Sequence, residues 1–243
     1  MSIERRNFPQ FFITAPTPCP YLPGKMERKV FTHLVGADAR GLNTMLSQGG
    51  FRRSQNIAYR PACDACSACI STRVPVADFR LTDSFKRVMR KNADITSRVV
   101  KAQATSEHYS VFRGYIDTRH SEGGMADMSV IDFAAMVDDT VTDSQLIEFR
   151  LHRTSISVGQ LVGAVLVDVM GDGLSLIYSF YEPSHEARSL GTLMVLDAIQ
   201  RAKAMGLPYV YLGYYVQGSR KMEYKARFKP QERLSSEGWR RLD

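Results

Sequence analysis

The sequence predicts an α+β protein, a mixed sheet with flanking helices preceded by a smaller cysteine-containing N-terminal region. Three observations predict it. The run from Gln160 to Val216 reads strand, tight turn, strand, helix, strand. The helix in that run, Leu190 to Met205, puts Val195, Ala198, Ile199, Ala202 and Met205 on one face and Asp197, Gln200 and Arg201 on the other. Residues 1 to about 80, by contrast, are broken by Pro16, Pro18, Pro20, Pro23, Pro61 and Pro75 and hold all four cysteines. A boundary near residue 90 then divides the chain into a cysteine-containing region, 1–90, and an α+β unit, 91–243.

Short extended pieces are expected at Phe11 to Thr14, Lys29 to Leu34 and Ile57 to Arg60. A helix is expected over Ala37 to Gln48, with Asp38 near its start and Gly49-Gly50 as its stop. A second begins at Asp83 and closes at Asn92-Ala93-Asp94. Its Lys86, Arg87, Arg90 and Lys91 share one side, either a solvated face or an edge that contacts phosphates. Further helices are expected over Glu107 to His120 and Ser129 to Asp138. Gln160 to Met170 is a strongly apolar strand, and Gly171-Asp172-Gly173 turns it into the returning strand Leu174 to Tyr181. Glu182-Pro183 ends that strand, Gly206 stops the long helix, and Tyr209 to Val216 is the last strand.

At 243 residues the chain can bury a sizeable core, as one large domain or two small ones. The formal net charge of +7 favours a polyanionic partner, nucleic acid being the usual one, unless it is only a basic surface. No repeat or low-complexity tract is present. Met1 to Arg6 is not followed by an apolar run, and the longest apolar stretch, Leu161 to Val167, is far short of the ~20 residues that span a bilayer. The expectation is a cytoplasmic protein with no membrane association and with reduced thiols.

Cys63, Cys66 and Cys69 form a Cys-x2-Cys-x2-Cys run, and Cys19 lies in Cys19-Pro-Tyr-Leu-Pro23. Four thiolates suit a tetrahedral zinc ion or an iron–sulfur cluster. The spacing lacks the second Cys-x2-Cys of a zinc ribbon, and free thiols packed together are the alternative.

The strand–turn–strand–helix–strand order resembles the core of GNAT-type N-acyltransferases. In that fold the helix N-terminus cradles the pyrophosphate of coenzyme A on an Arg/Gln-x-x-Gly-x-Gly/Ala loop. The matching stretch here is Arg188-Ser-Leu-Gly191-Thr-Leu193. Leu193 stands where the second small residue belongs and would crowd a phosphate on the backbone amides. Either the fold is retained without coenzyme A as donor, or Gly191 only lets the helix pack closely.

An ordered set of motifs resembles the aminoacyl-tRNA–protein transferase family, its bacterial leucyl branch in particular. They are Cys19-Pro-Tyr-Leu-Pro23, Gly50-Phe-Arg-Arg-Ser54, Tyr59-Arg-Pro-Ala-Cys63 with Cys66 and Cys69, Arg73-Val-Pro-Val76, and Arg90-Lys-Asn-Ala-Asp94. Later come Tyr178-Ser-Phe-Tyr-Glu-Pro183, Ser189-Leu-Gly191, Leu212-Gly-Tyr-Tyr-Val-Gln-Gly218, Lys221-Met-Glu-Tyr-Lys225 and Phe228-Lys-Pro230. Only about Ile95 to Gly159 is poorly matched. The resemblance implies transfer of leucine from leucyl-tRNA to the α-amino group of proteins that begin with Asp or Glu, marking them for degradation by the N-degron pathway. Eukaryotic relatives transfer arginine to the same acceptors. A monomer is the expectation, although the sequence itself sets no oligomeric state, and transfer from an already activated ester requires no cofactor. Metal or iron–sulfur binding connected with similar cysteines of eukaryotic relatives carries over to Cys19, Cys63, Cys66 and Cys69.

Such a reaction needs cations for the tRNA, a partner for the acceptor's acidic side chain, and a neutral attacking amine. Between Ser219 and Arg233 six cations face two acids, with aromatics interleaved. Lys221, Tyr224, Lys225 and Arg227 are therefore candidates to hold an RNA 3′ end, the alternative being a solvated tail. Arg52, Arg53 or Lys225 is the candidate reader of the acceptor carboxylate, unless the arginines form structural ion pairs. Tyr214 and Gln217, then Tyr178, are the catalytic candidates, with Glu182 or water as further proton relays. The five histidines are scattered and lie in none of the matched motifs. A coenzyme A-dependent N-acetyltransferase and a non-catalytic zinc-containing RNA-binding module are the competing readings.

Overall fold

The computed structural model describes residues 9–121, 123–152 and 159–243; the reading of Met1 to Arg6 lies outside them. The chain opens with β1 (Phe11–Ile13), β2 (Thr17–Pro18), β3 (Met26–Glu27), β4 (Lys29–His33), α1 (Ala39–Gln48), β5 (Arg52–Ser54) and β6 (Ile57–Pro61). β7 (Cys69–Pro75), α2 (Asp83–Lys91), β8 (Ile95–Lys101), α3 (Ser106–Arg119), α4 (Val130–Asp138) and β9 (Ser144–Leu151) follow. The rest is β10 (Leu161–Val169), β11 (Gly173–Tyr181), α5 (Leu190–Ala204), β12 (Tyr209–Val216), β13 (Gln231–Ser235) and β14 (Gly238–Leu242).

Four of the five α-helices, α5 excepted, start where a side chain satisfies a free backbone N–H. Asp38, Thr82, Thr105 and Ser129 accept from the amides of Gly41, Phe85, His108 and Asp132. The five expected helices form within two residues of their expected bounds. β10 and β11 form the expected hairpin, and α5 crosses over to β12, which lies parallel to β11.

The α+β architecture is a large mixed sheet of order β14-β13-β7-β12-β11-β10-β9-β8, with β11–β12 its one parallel pair. Helices cover both faces. Leu190, Met194, Val195 and Ile199 of α5 pack on one side. Phe112 and Ile116 of α3 with Phe133 and Val137 of α4 pack on the other. β10 is buried on both faces, which explains its apolar run, interrupted by Asp168. A smaller antiparallel sheet, β1-β4-β6-β5, carries α1.

Two expectations are corrected. Residues 69–75, read as part of an irregular region, form β7 in the middle of the large sheet, between β13 and β12. Arg73 hid this strand, because an arginine in mid-strand reads as exposed. Here its guanidinium is stacked 3.5 Å from the Tyr209 ring centre and 4.1 Å from that of Trp239, and its Nε donates to Glu232 at 2.7 Å. Met205, expected on the buried face of α5, is exposed because it caps the helix end.

Candidate active site

β11 and β12 pair only over Gly173–Ser175 and Tyr209–Tyr211. Beyond that they diverge, and the sheet opens. A register shift against β7 between Tyr211 and Gly213 gives Gly213 a positive φ of 80°. Arg52 reaches from β5 into the opening. Its Nη2 donates to the carbonyls of Leu176 at 2.7 Å and Ile177 at 3.1 Å, which β12 leaves free. Its guanidinium rests against Gly213, where a Cβ would collide with it. One residue along β12, the Tyr214 carbonyl accepts from Lys225 Nζ at 2.7 Å. Lys225 comes from the 3-10 turn Glu223–Arg227 and is 6% exposed. Burial, and then the Arg52 charge, hold the Lys225 ammonium well below its ordinary pKa range.

Aromatics wall the opening. The rings of Tyr115 and Tyr181 lie 4.8 Å apart, and Tyr115, Tyr178, Tyr181 and Tyr224 stand close enough to influence one another's ionisation. Burial pushes the Tyr178 hydroxyl up to about 12, so it remains a proton donor at neutral pH. It has no hydrogen-bond partner among the described residues. His120, at the end of α3, brings Nε2 to 3.3 Å from the Tyr115 hydroxyl. Burial, then Lys221 and Arg119, lower its pKa, which keeps the imidazole neutral.

The candidates named from the sequence separate here. Arg52, Lys225, Tyr178 and Tyr224 gather at the opening. Arg53 does not. Its Nε and Nη2 donate to Asp168 at 2.6 and 2.8 Å and Nη2 also to Ser144 at 3.0 Å, inside a site where Arg53 is 3% exposed. It is a structural ion pair and cannot read a substrate. Tyr214 is also corrected: its hydroxyl is turned into the seam between the two sheets, 2.9 Å from Gly50 O and 3.1 Å from Tyr59 O. A hydroxyl held on two backbone carbonyls in that seam is turned away from the opening and is no proton relay for it. Gln217 is exposed beyond the end of β12, and Lys221 is exposed on the following turn. Arg227 is tied to α2, donating to Ser84 Oγ at 3.2 Å. Tyr115 and His120 were missed because they lie in the segment least like the family motifs. Their spacing on one helix end was the available signal.

The loop before α5 is braced by protein. Arg188 Nη2 donates to Asp94 at 2.6 Å, Asn92 Nδ2 to Arg188 O at 2.9 Å and Lys91 Nζ to Ala187 O at 2.6 Å. Leu193 packs with the cluster of Leu190 and Met194.

Cys19, Cys63, Cys66 and Cys69 line one cavity of about 200 Å³ beside this opening. Burial, and then the neighbouring thiols of Cys19, Cys63 and Cys66, push the Cys69 thiol up to about 12. The donor set matches a thiolate-bound metal in kind. Its spacing does not: among the described residues no three Cys, His, Asp or Glu side chains are gathered as metal ligands.

The opening, with a buried lysine, an arginine and a tyrosine wall around it, is the candidate place for a substrate. Two family models cover most of the chain. "Arginine-tRNA-protein transferase, N terminus" matches residues 17–87, and "Arginine-tRNA-protein transferase, C terminus" matches residues 107–235. Aspartate/glutamate leucyltransferases align end to end. That of Nitrobacter hamburgensis is 56% identical over 100% of this chain and 96% of the relative. That of Afipia carboxidovorans is 57% identical over 100% and 97%, and that of Brucella anthropi 56% over 100% of both. A solved C-terminal domain of a putative lysylphosphatidylglycerol synthetase from Agrobacterium fabrum is 12% identical, with a TM-score of 0.43 over 87% of this chain and 65% of that one. A likeness that loose bears on neither substrate nor mechanism. The chain is an aminoacyltransferase and belongs to the arginine-tRNA-protein transferase family, alongside the aspartate/glutamate leucyltransferases.

Proposed function

We propose that the protein transfers leucine from leucyl-tRNA to the α-amino group of proteins beginning with Asp or Glu, as a cytoplasmic monomer that commits them to N-degron proteolysis. The observation that carries this reading is identity of 56% running the full length of both chains to a leucyltransferase. No helix among the described residues is long and apolar enough to cross a membrane.

The donor ester is already activated, so the protein's task is to position an amine against it and handle one proton. The acceptor nitrogen attacks the ester carbonyl carbon, a C–N bond forms, and the bond to the tRNA ribose oxygen breaks. The amine proton leaves through Tyr115 to His120, and a proton returns to the ribose oxygen. Tyr178, protonated at neutral pH, donates a hydrogen bond to the carbonyl oxygen as charge develops on it. Tyr224 offers a ring on which the terminal base of the tRNA stacks, with Lys221 and Arg227 near its phosphates. Gln217, exposed at the end of β12, lies on the path of the acceptor chain.

The test is transfer of labelled leucine from leucyl-tRNA to an Asp-initiated peptide, run beside arginyl-tRNA and acetyl-coenzyme A. Leucine transfer well above both alternatives is expected. Turnover of acetyl-coenzyme A alone would sink the reading. Because a base must be unprotonated, the rate should fall as pH drops through the lowered pKa of His120, below about 6.5. His120→Gln should remove that acid limb and lower kcat by about 10².

The transfer as written needs no cofactor. A structural zinc ion or iron–sulfur cluster, apart from the chemistry, is proposed at the four thiols, which are not gathered at metal-ligand spacing in this structure and would close on the metal as it binds. Metal analysis of protein purified without oxygen is expected to find about one zinc or one cluster per chain; fully folded, metal-free protein would reject it.

A further inference from the structure

We infer that Arg52 and Lys225 together form the pocket that reads the side-chain carboxylate of the acceptor's first residue. This rests on the leucyl-transfer reading and adds the specificity determinant to it.

The two cations converge on consecutive residues of β12, one against Gly213 and the other on the Tyr214 carbonyl. Their surroundings differ from those of the other inward-facing arginines. Arg53 pairs with Asp168, Arg73 with Glu232, Arg150 with Glu148 and Glu107, and Arg188 with Asp94. Neither Arg52 nor Lys225 has an acidic partner among the described residues. Their remaining donors are also free there. Arg52 commits Nη2 to two carbonyls, leaving Nε and Nη1, and Lys225 commits one of the three protons an ammonium carries. Arg52 is a standing cation, and an anion seated beside it offsets the burial that disfavours the Lys225 ammonium; the open donors of both call for two oxygens, which is what a carboxylate offers.

Depth selects among anions. Lys225 is 6% exposed, behind the tyrosine wall. A phosphodiester, with a ribose on each side, cannot bring its oxygens to that depth. A carboxylate at the end of one or two methylenes can. In so dry a place a neutral amide of the same shape leaves Arg52 uncompensated and gives the Lys225 ammonium no counter-charge, so Asn and Gln are rejected although they fit.

The experiment measures kcat/KM with peptides beginning in Asp, Glu, Asn and Gln, for the unaltered protein, Lys225→Met and Arg52→Lys. The dissociation constant of leucyl-tRNA is measured for each. The unaltered protein should prefer Asp over Asn by about 10³ or more. Lys225→Met should lower kcat/KM for the acidic peptides by about 10² while leaving the amide peptides within about threefold, so the preference collapses. Arg52→Lys keeps the charge, loses the planar fork and should fall between. A structural role alone would depress all four peptides and leucyl-tRNA binding together. Calorimetric binding of Asp- and Asn-initiated tripeptides to the unaltered protein requires no variant, and the Asp peptide should bind at least tenfold tighter. Equal binding of the two, or an Asp-to-Asn ratio unmoved in both variants, overturns the pocket. Failure of the unaltered protein to transfer leucine at all would instead remove the proposed function beneath it.

Discussion

In β5 the side chains of Arg52 and Arg53 leave the strand on opposite sides. One enters the gap between β11 and β12. The other meets Asp168 of β10, whose carboxylate also accepts from Asn43 at 3.2 Å and Ser144 at 2.6 Å. Sequence reading could name both arginines but could not say which was already paired, because Asp168 lies far along the chain in an apolar run. Arg53→Ala strands a buried carboxylate and should cost about 3–5 kcal/mol of unfolding free energy. Adding Asp168→Leu should recover part of that loss. Urea titrations of the two single variants and the double check both statements, and strictly additive losses would contradict the pairing. Tyr214 has the same difficulty: its place on a strand end was legible, the direction of its hydroxyl was not.

At the scale of one element, α2 resolves an ambiguity that charge spacing leaves open. Phe85 turns inward and stacks on Phe228 with ring centres 5.1 Å apart. Lys86 pairs with Asp83 at 3.0 Å, whereas Arg87 and Arg90 are exposed and make no salt bridge among the described residues. Arg227 ties α2 to the turn that carries Lys225, and Lys91 ties it to the loop before α5. Arg87 and Arg90 thus stand on a helix tied to the turn that carries Lys225, and we propose them as contacts for the tRNA backbone. The double change Arg87→Glu with Arg90→Glu should weaken leucyl-tRNA binding at least tenfold. It should also flatten the slope of log K against log salt by about 1.5 to 2. Peptide KM should not move. An unchanged salt slope would mean that this face is only solvated.

Across the whole molecule, the helices were legible because capping residues and apolar periodicity are local signals. β10, β11 and β12 were legible because their apolar runs are bounded by turns. β8, β9, β13 and β14 were not, since what makes them strands is the neighbour each pairs with, and pairing is not written locally. The site follows the same rule. Its motifs in β5, β11 and the Lys225 turn could be found one by one, but their meeting depends on the opening of the sheet. His120 and Tyr115 belong to a helix with no motif of its own and become visible only where α3 ends beside Tyr181.

The place of β7 in the large sheet also sets a timetable. Its two flanking strands, β12 at Tyr209–Val216 and β13 at Gln231–Ser235, follow it far along the chain. At bacterial elongation speeds roughly ten seconds or more separate the birth of that strand from the arrival of its neighbours. Through that interval Ile70 and Val74 lack the neighbours that bury them in the finished sheet, and the centre of the fold closes only when those strands emerge.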